Sequence, residues 1–456
     1  MKKSTGSNSI SFLFSTLIII ALTITLTSST NAQVWEQMGT GAGGVVNAVT
    51  VFNNQIVAAG YFAVAGGQLV NNIARWTGSA WQPLGLGTND TVFCLTVYNN
   101  NLVAGGRFTS AGGVSCNKVA MWNGTSWISI GGTFNGNVLA LTVSGAYIVA
   151  GGNFTIVNSR NMARVAKWQN TWDTIGVGFN NTVHALAQFN NSLYAAGTFT
   201  VSDGLPVNRI ARYTGPSWGS VGVGMDDGGV FCLRVFNSTL YAGGTFTTIG
   251  GSTTNRIARW NGSSWSNVGF GFSGGVYALY SFGTNMYAGG EFDFADFLPA
   301  NKVAFFNGST WAAMGSGIGG TSPRVRGISS FLGDVIVGGN FTLAGGVSVN
   351  NIANWKLTVG ITQTGNNIPS VYSLEQNYPN PFNPQTNIKF DLPKNGFVTL
   401  SVFDSKGALV QNLVNNDLTA GGYSVTMDAS MLPSGVYFYK LNAEGYTSTK
   451  KMILVK

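Results

Sequence analysis

The segment "RWNGSSW", Arg259–Trp265, returns through the chain in close variants: "RWTGSAW" from Arg75, "MWNGTSW" from Met121, "RYTGPSW" from Arg212 and "FFNGSTW" from Phe305. It is one part of a longer repeat. A phenylalanine that follows a small-residue pair stands at Phe62, Phe108, Phe154, Phe199, Phe246, Phe292 and Phe341, in steps of 45 to 49 residues. The aromatic before the turn falls at Trp76, Trp122, Trp168, Tyr213, Trp260, Phe306 and Trp355. The tryptophan after it falls at Trp35, Trp81, Trp127, Trp172, Trp218, Trp265 and Trp311. These two columns hold all 12 tryptophans of the chain. Self-similarity at such a period restricts the fold to stacked repeat units.

Each unit reads as four short strands. In the fifth copy they are "GVFCLRVF", "LYAGGTF", "RIARW" and "SWSNVG", separated by turn residues such as Asn237-Ser238 and Asn261-Gly262. Low charge (9%), 63 glycines and 12% aromatics fit a folded, turn-rich β protein rather than a disordered one. Asn-Gly favours a tight hairpin. A two-residue loop at Asn261-Gly262 would pair Ala258 with Trp265; a four-residue loop would set Trp260 directly opposite Trp265. In both cases the two rings project from one face of the hairpin. Each ring buries roughly 150–250 Å², which at ~25 cal/mol/Å² is on the order of 4–6 kcal/mol as an upper bound. A lone four-stranded sheet cannot cover that surface, so units must stack. Glycine pairs such as Gly243-Gly244 are expected where a neighbouring unit's aromatic or backbone presses close. The recurring turn is therefore structural.

Four-stranded units stacked radially make a β-propeller. Trp35 belongs to a fourth strand that lacks its first three. The copy ending in "NNIANWKL" has three strands and lacks the fourth. The expectation is an all-β, seven-bladed propeller over 33–357 whose last blade is shared, the strand near Trp35 closing it in velcro fashion. The glycine doublet on the second strand, the aromatic on the third and the tryptophan on the fourth resemble kelch-like propellers; the "GGxFT" ending departs from them.

The first 32 residues have Lys2 and Lys3, the apolar run "FLFSTLIIIALTITL", and "SSTNA" before Gln33. This pattern predicts a secretory signal peptide, 1–32, and no later stretch predicts a transmembrane segment in the mature chain. A net charge of +8 is mild for the length and gives no reason to expect nucleic acid. Cys94 and Cys232 occupy equivalent repeat positions and read as small buried residues. A Cys94–Cys116 bridge is the alternative in an oxidising compartment.

After Lys356 the composition changes. Residues 358–372 read as a linker. Residues 373–456 read as a small Ig-like β-sandwich entered through a proline-stiffened segment. This segment also resembles the type A C-terminal sorting domain of proteins exported by the type IX secretion system of Bacteroidota-like bacteria. The matching residues are Asn377, Tyr378, Pro379, Asn380, Pro381 and Phe382, then Gly421, Gly422 and Tyr423, then Ser434, Gly435, Val436 and Tyr437, and finally Lys450, Lys451, Met452, Ile453, Leu454 and Val455. The resemblance implies passage through the type IX machinery, removal of the domain, and attachment to the surface or release.

No catalytic constellation is legible. The single histidine, His184, shares a repeat column with Asn47, Phe93, Leu139, Phe231, Tyr277 and Arg326, and neither a nucleophile nor an orienting acid accompanies it. One His and three scattered Cys give no metal-ligand pattern, and no cofactor motif is present. Loop carboxylates Asp203, Asp226, Asp227, Asp293 and Asp296 are the candidates for a glycosidase or lyase; solvated loop acids are the plainer reading.

Two columns point to binding. The loop into each first strand carries Ala42, Thr88, Phe134, Phe179, Met225, Phe272 and Ile318. The third strand begins with Asn72, Lys118, Arg164, Arg209, Arg256, Lys302 and Asn351. Both should lie on one face. Inter-blade anchors and snorkelling side chains are one reading; an apolar and basic ring for an acidic glycan is the other. The expected function is an exported, non-enzymatic surface or secreted binding module, with a carbohydrate-active enzyme or a structural surface-layer component as alternatives.

Overall fold

A computed structural model describes residues 33–357, 361–364, 368–429 and 432–456. The expected signal peptide lies outside the described residues. Among them no helix is long and apolar enough to cross a membrane.

The described residues are all-β, and 33–357 form propeller-like sheets of four-strand units. In the fifth unit the strands are Val230–Phe236, Thr239–Gly244, Ile257–Trp260 and Trp265–Asn267, each antiparallel to the one before it. Seven such four-stranded sheets are present among the described residues of this segment. Six follow sequence order. In the seventh, Gln33–Gln37 pairs outside Ile352–Leu357, with Trp35 opposite Trp355. First strands of successive units abut one another in an unbroken cycle, which passes from Arg324–Phe331 back to Val45–Phe52.

The turn in "RWNGSSW" is the four-residue loop. Trp260 pairs directly with Trp265, and their ring centroids lie 5.3 Å apart. Asn261 Oδ1 accepts from the Ser263 and Ser264 backbone N–H groups, while Gly262 takes φ +107°, a conformation open to glycine.

The fourth-strand tryptophan does more than fill space. Its indole N–H donates to a backbone carbonyl of the preceding unit: Trp81 to Met38 (2.8 Å), Trp127 to Leu84 (2.8 Å), Trp172 to Gly131 (3.1 Å), Trp218 to Ile175 (2.8 Å) and Trp265 to Val221 (2.8 Å). Trp35 makes the same bond to Met314 at 2.9 Å, across 279 residues. Trp311 is the exception, its indole nitrogen buried and unpartnered.

The glycine doublet admits a valine methyl rather than an aromatic. A Cβ on Gly243 would sit 2.7 Å from Val276 Cγ1 of the next unit, and one on Gly338 2.5 Å from Val46 Cγ1. The hydrophobic clusters accordingly lie between units, each drawing on two neighbouring sheets.

A feature unforeseen in the four-strand reading is a small two-stranded ribbon between second and third strands, as at Thr248–Ile249 and Ser252–Thr253. It accounts for the "FT" ending. Asn89, Asn135 and Asn180 each accept from two ribbon N–H groups through Oδ1 and donate through Nδ2 to the threonine hydroxyl of Thr109, Thr155 or Thr200. Asp227 takes the same place against Thr247 and Thr248.

The C-terminal segment has two four-stranded sheets. One contains Ser373–Leu374, Gln385–Leu392 and Gly421–Asp428; the other contains Gly396–Asp404, Leu409–Leu418, Gly435–Ala443 and Tyr446–Leu454. One buried cluster, including Ile388, Phe390, Val425, Leu400, Tyr439 and Met452, draws on both. Part of the expected linker is itself a strand: Ile361–Gln363 pairs with Tyr423–Val425.

Candidate functional site

The ten residues expected on a ligand-binding face do not make an exposed ring. Phe134, Phe179, Met225, Phe272 and Ile318 are all buried. Phe134 packs edge-on against Phe154 and Trp172, both at 4.9 Å; Phe179 stacks on Phe199 at 4.0 Å; Phe272 lies 4.3 Å from Phe292 and 4.7 Å from Trp311. They wedge between units, which is the anchoring role. The basic column is tied to the same wedges. Arg164 Nη1 donates to the Phe179 carbonyl (2.7 Å), Arg209 Nη1 to Met225 (2.7 Å) and Arg256 Nη1 to Phe272 (2.8 Å). Asn72 and Asn351 do the same to Thr88 and Ala42, both at 2.9 Å. Lys118 instead donates to the Arg107 carbonyl at 2.9 Å, and Lys302 pairs with Asp293. All seven members of this column have φ between +61° and +72°. Sequence reasoning missed the left-handed backbone because arginine and lysine, unlike glycine and asparagine, do not advertise it.

Most loop carboxylates are occupied by backbone. Asp226 accepts from Gly250 and Gly251 N–H, and these bonds, the Gly251 one foremost, hold its carboxyl below the usual range. Asp227 is held low too; desolvation opposes this, and the Thr247 and Thr248 bonds outweigh it. Asp296 Oδ1 accepts from Phe270 and Gly271 N–H. Asp203 sits exposed on its ribbon turn. Asp226 and Asp227, spent on N–H donors and held ionised, are poorly placed as general acids. The three cysteines are free thiols, so Cys94 and Cys116 are not bridged. Burial pushes the Cys94 and Cys232 thiols far up, which makes both inert.

One recess carries both chemistries sought. Around Arg256, residues Asn255, Phe270, Phe272, Phe294 and Phe297 line a cleft of about 410 Å³, within the range of small-ligand sites. Phe270, Phe294 and Phe297 are 67%, 46% and 75% exposed, and the Phe270 and Phe297 rings stand 5.0 Å apart at 43°. Phe297 occupies the second turn position of its ribbon with φ +66°, where the other copies have Gly67, Gly113, Ser159, Gly204, Gly251 and Gly346. A bulky residue in that region costs on the order of 1 kcal/mol or more. In sequence this appeared only as "DFADFLP", a ribbon that breaks the small-residue turn rule.

The sorting-motif residues, distant in sequence, meet at one edge. Asn377 is buried; its N–H donates to Tyr439 Oη (2.7 Å) and its Nδ2 to the Pro379 carbonyl (3.0 Å) and Thr386 Oγ1 (2.9 Å). Asn380 Oδ1 accepts from Ile453 N–H at 2.9 Å. Phe382, buried, bridges in parallel to Leu454. Tyr437 Oη donates to the Pro433 carbonyl at 2.8 Å beside Gly435. Tyr378 is exposed, Pro381 lies in the exposed turn before Phe382, and Lys450 and Lys451 lie on the terminal strand that these residues clasp.

Comparison with known proteins fits this division. Residues 69–232 match the Rax2 C-terminal beta propeller domain, and residues 238–263 match a beta-propeller domain of unknown function, DUF5122. No curated protein matches the chain. Among solved structures, PorZ of Porphyromonas gingivalis, an essential bacterial surface component of the type-IX secretion system, aligns with 13% identity and a TM-score of 0.37, covering 91% of this chain and 76% of that one. Residues 376–456 match the secretion system C-terminal sorting domain, and the protein is exported, to the cell surface or the extracellular space.

Proposed function

We propose that the protein is a kelch-like, seven-bladed propeller closed by the Gln33–Gln37 strand, led by a signal peptide and followed by an Ig-like sorting sandwich that engages the type IX machinery. In this reading 33–357 form the propeller, 358–372 the connection and 373–456 the sorting unit. The unbroken cycle of first strands and the Trp35–Met314 bond support the blade count and closure. The propeller is a non-enzymatic binding module for acidic polysaccharide, displayed at the surface.

The observation that carries this function is Phe297. An exposed phenylalanine in a left-handed turn, where other copies have glycine or serine, is a cost that folding does not require. Together with Phe270 it offers tilted aromatic faces on which flat sugar rings stack. Arg256 beside them spends one of its five N–H donors on Phe272, leaving the others for a carboxylate or sulfate. The acidic-glycan reading thus rests on the junction of two neighbouring units rather than on a whole ring.

The test uses polygalacturonate and its neutral methyl ester as probes. F270S/F297S should abolish retention of polygalacturonate without lowering the melting temperature, and the ester should bind weakly to wild type. Unchanged retention by the double variant would refute the cleft, and new reducing ends released from the polymer would refute the non-enzymatic reading.

A further inference from the structure

The first strand of every unit carries one extra residue. Pairing to the second strand slips by one between Val46 and Ala48, Val92 and Cys94, Val138 and Ala140, Val183 and Ala185, Val230 and Cys232, Val276 and Ala278, and Val325 and Gly327. The skipped residues are those of the His184 column. A β-bulge re-aims its side chain out of the sheet's alternation. Because the first strands form a closed cycle, the seven bulges stand around one axis at the same level.

Three consecutive bulge side chains touch. The His184 ring lies 4.8 Å from Phe231, and Phe231 lies 5.3 Å from Tyr277. Arg324 stacks its guanidinium over Tyr277 at 4.7 Å and pairs with Glu291, whose other oxygen accepts from Tyr277 Oη at 2.9 Å. Glu291, the one acid here, is therefore committed at both oxygens. Arg326 is exposed and, among the described residues, makes no hydrogen bond or ion pair, and the His184 ring nitrogens likewise have no partner among them. The bulge column contains no carboxylate.

We propose that this axial mouth is a binding site for a single carboxylate carried on a flat ring. The carboxylate meets the two-pronged Arg326 guanidinium, a geometry that suits bidentate pairing. The flat body lies along Tyr277, Phe231 and His184. A positive charge without an acidic partner, set beside apolar rings, attracts anions. Partial loss of water around its guanidinium, and then the neighbouring Arg324 charge, push Arg326 below the ordinary arginine value, and a bound anion would offset the Arg324 repulsion. His184 is pushed down to about 4 by burial, so at neutral pH it presents an uncharged ring to the ligand body.

The chain has one histidine, so a histidine-selective NMR label reports on this mouth alone. D-glucuronate and benzoate are the probes, with D-glucose as the uncharged control. Wild type should show a saturable His184 shift with at least one of the two acids, weakened by salt, and none with glucose. A response to glucuronate alone assigns a sugar acid as the ligand, and a response to benzoate alone an aromatic acid. R326Q, at an exposed position, should keep its melting temperature and bind at least tenfold more weakly. F270S/F297S should leave the His184 response intact, which separates this site from the cleft. The proposal is overturned if neither acid moves the His184 resonance, or if R326Q titrates like wild type.

Discussion

Trp35 offers the sharpest test of closure. Its indole is 5% exposed, lies 4.9 Å from Trp355 and donates at 2.9 Å to the Met314 carbonyl. Truncating a buried tryptophan to alanine costs about 3–5 kcal/mol. Orphaning the buried Met314 carbonyl adds about 1 kcal/mol. Trp35→Ala should therefore lose about 4–6 kcal/mol. Trp35→Phe keeps a ring against Trp355 and loses the N–H bond, so it should lose about 1–2 kcal/mol. Trp81→Ala is the internal reference, since Trp81 has the same environment inside an uninterrupted unit: Trp76 at 5.3 Å and the Met38 carbonyl at 2.8 Å. The assay is guanidinium unfolding followed by tryptophan fluorescence. It reports on the propeller segment alone, because every tryptophan lies between Trp35 and Trp355. If Trp35→Ala stays within about 1 kcal/mol of wild type while Trp81→Ala does not, the closing strand contributes nothing and the argument fails.

Two further outcomes are expected. Burial raises Asp334 to about 6 against the pull of Asn354 and Lys356, so its contribution is full below about 4 and is lost as pH rises through 6. Burial lowers His184 to about 4, so its contribution is full above about 6.5 and is lost as pH falls toward 4. The two oppose each other at mildly acid pH. Asp334→Asn should make stability fall on acidification from pH 6, and His184→Gln should make it rise, each by about 2–3 kcal/mol at most; thermal melts across this range that match wild type would refute both assignments. Truncation after Tyr372 should leave a folded propeller held in the periplasm of the native host, as read by cell fractionation, and normal surface delivery of the truncated chain would disprove the sorting role.

The repeat columns carried most of the architecture because they are a matter of spacing. Phe, aromatic and Trp at a fixed period specify four strands and the need to stack, whatever the local detail. What spacing could not carry was the destination of polar atoms. Arg164, Arg209 and Arg256 read either as side chains snorkelling over the neighbouring unit or as a glycan contact, and each spends an N–H on the carbonyl of the next wedge residue. Phe134 and Phe179 read first as inter-blade anchors with a ligand face as the alternative, and only the depth of the loop decides between these. The bulges were invisible for a related reason. A one-residue slip leaves the repeat period intact and changes only where Phe231 or Arg326 points. The candidate cleft was legible in one respect, the phenylalanine of "DFADFLP" in a turn that elsewhere takes glycine or serine.

The indole bond that joins one unit to the next also sets an order of events during folding. For Trp81 the acceptor lies 43 residues away, and for Trp35 it lies 279 residues away. Loop-closure entropy grows as about (3/2)RT ln n, so if the intervening chain were unstructured the second bond would cost about 1.7 kcal/mol more to form than the first. Five residues with a tryptophan at their centre, Gln33–Gln37, would thus find their partner strand last, although they precede it in the chain. Until then the sheet of 324–357 keeps an open edge at Ile352–Leu357, a template for any stray strand. In that interval the Gln33–Gln37 strand of a neighbouring molecule could take the edge, and linked chains would be the product of a delayed closure.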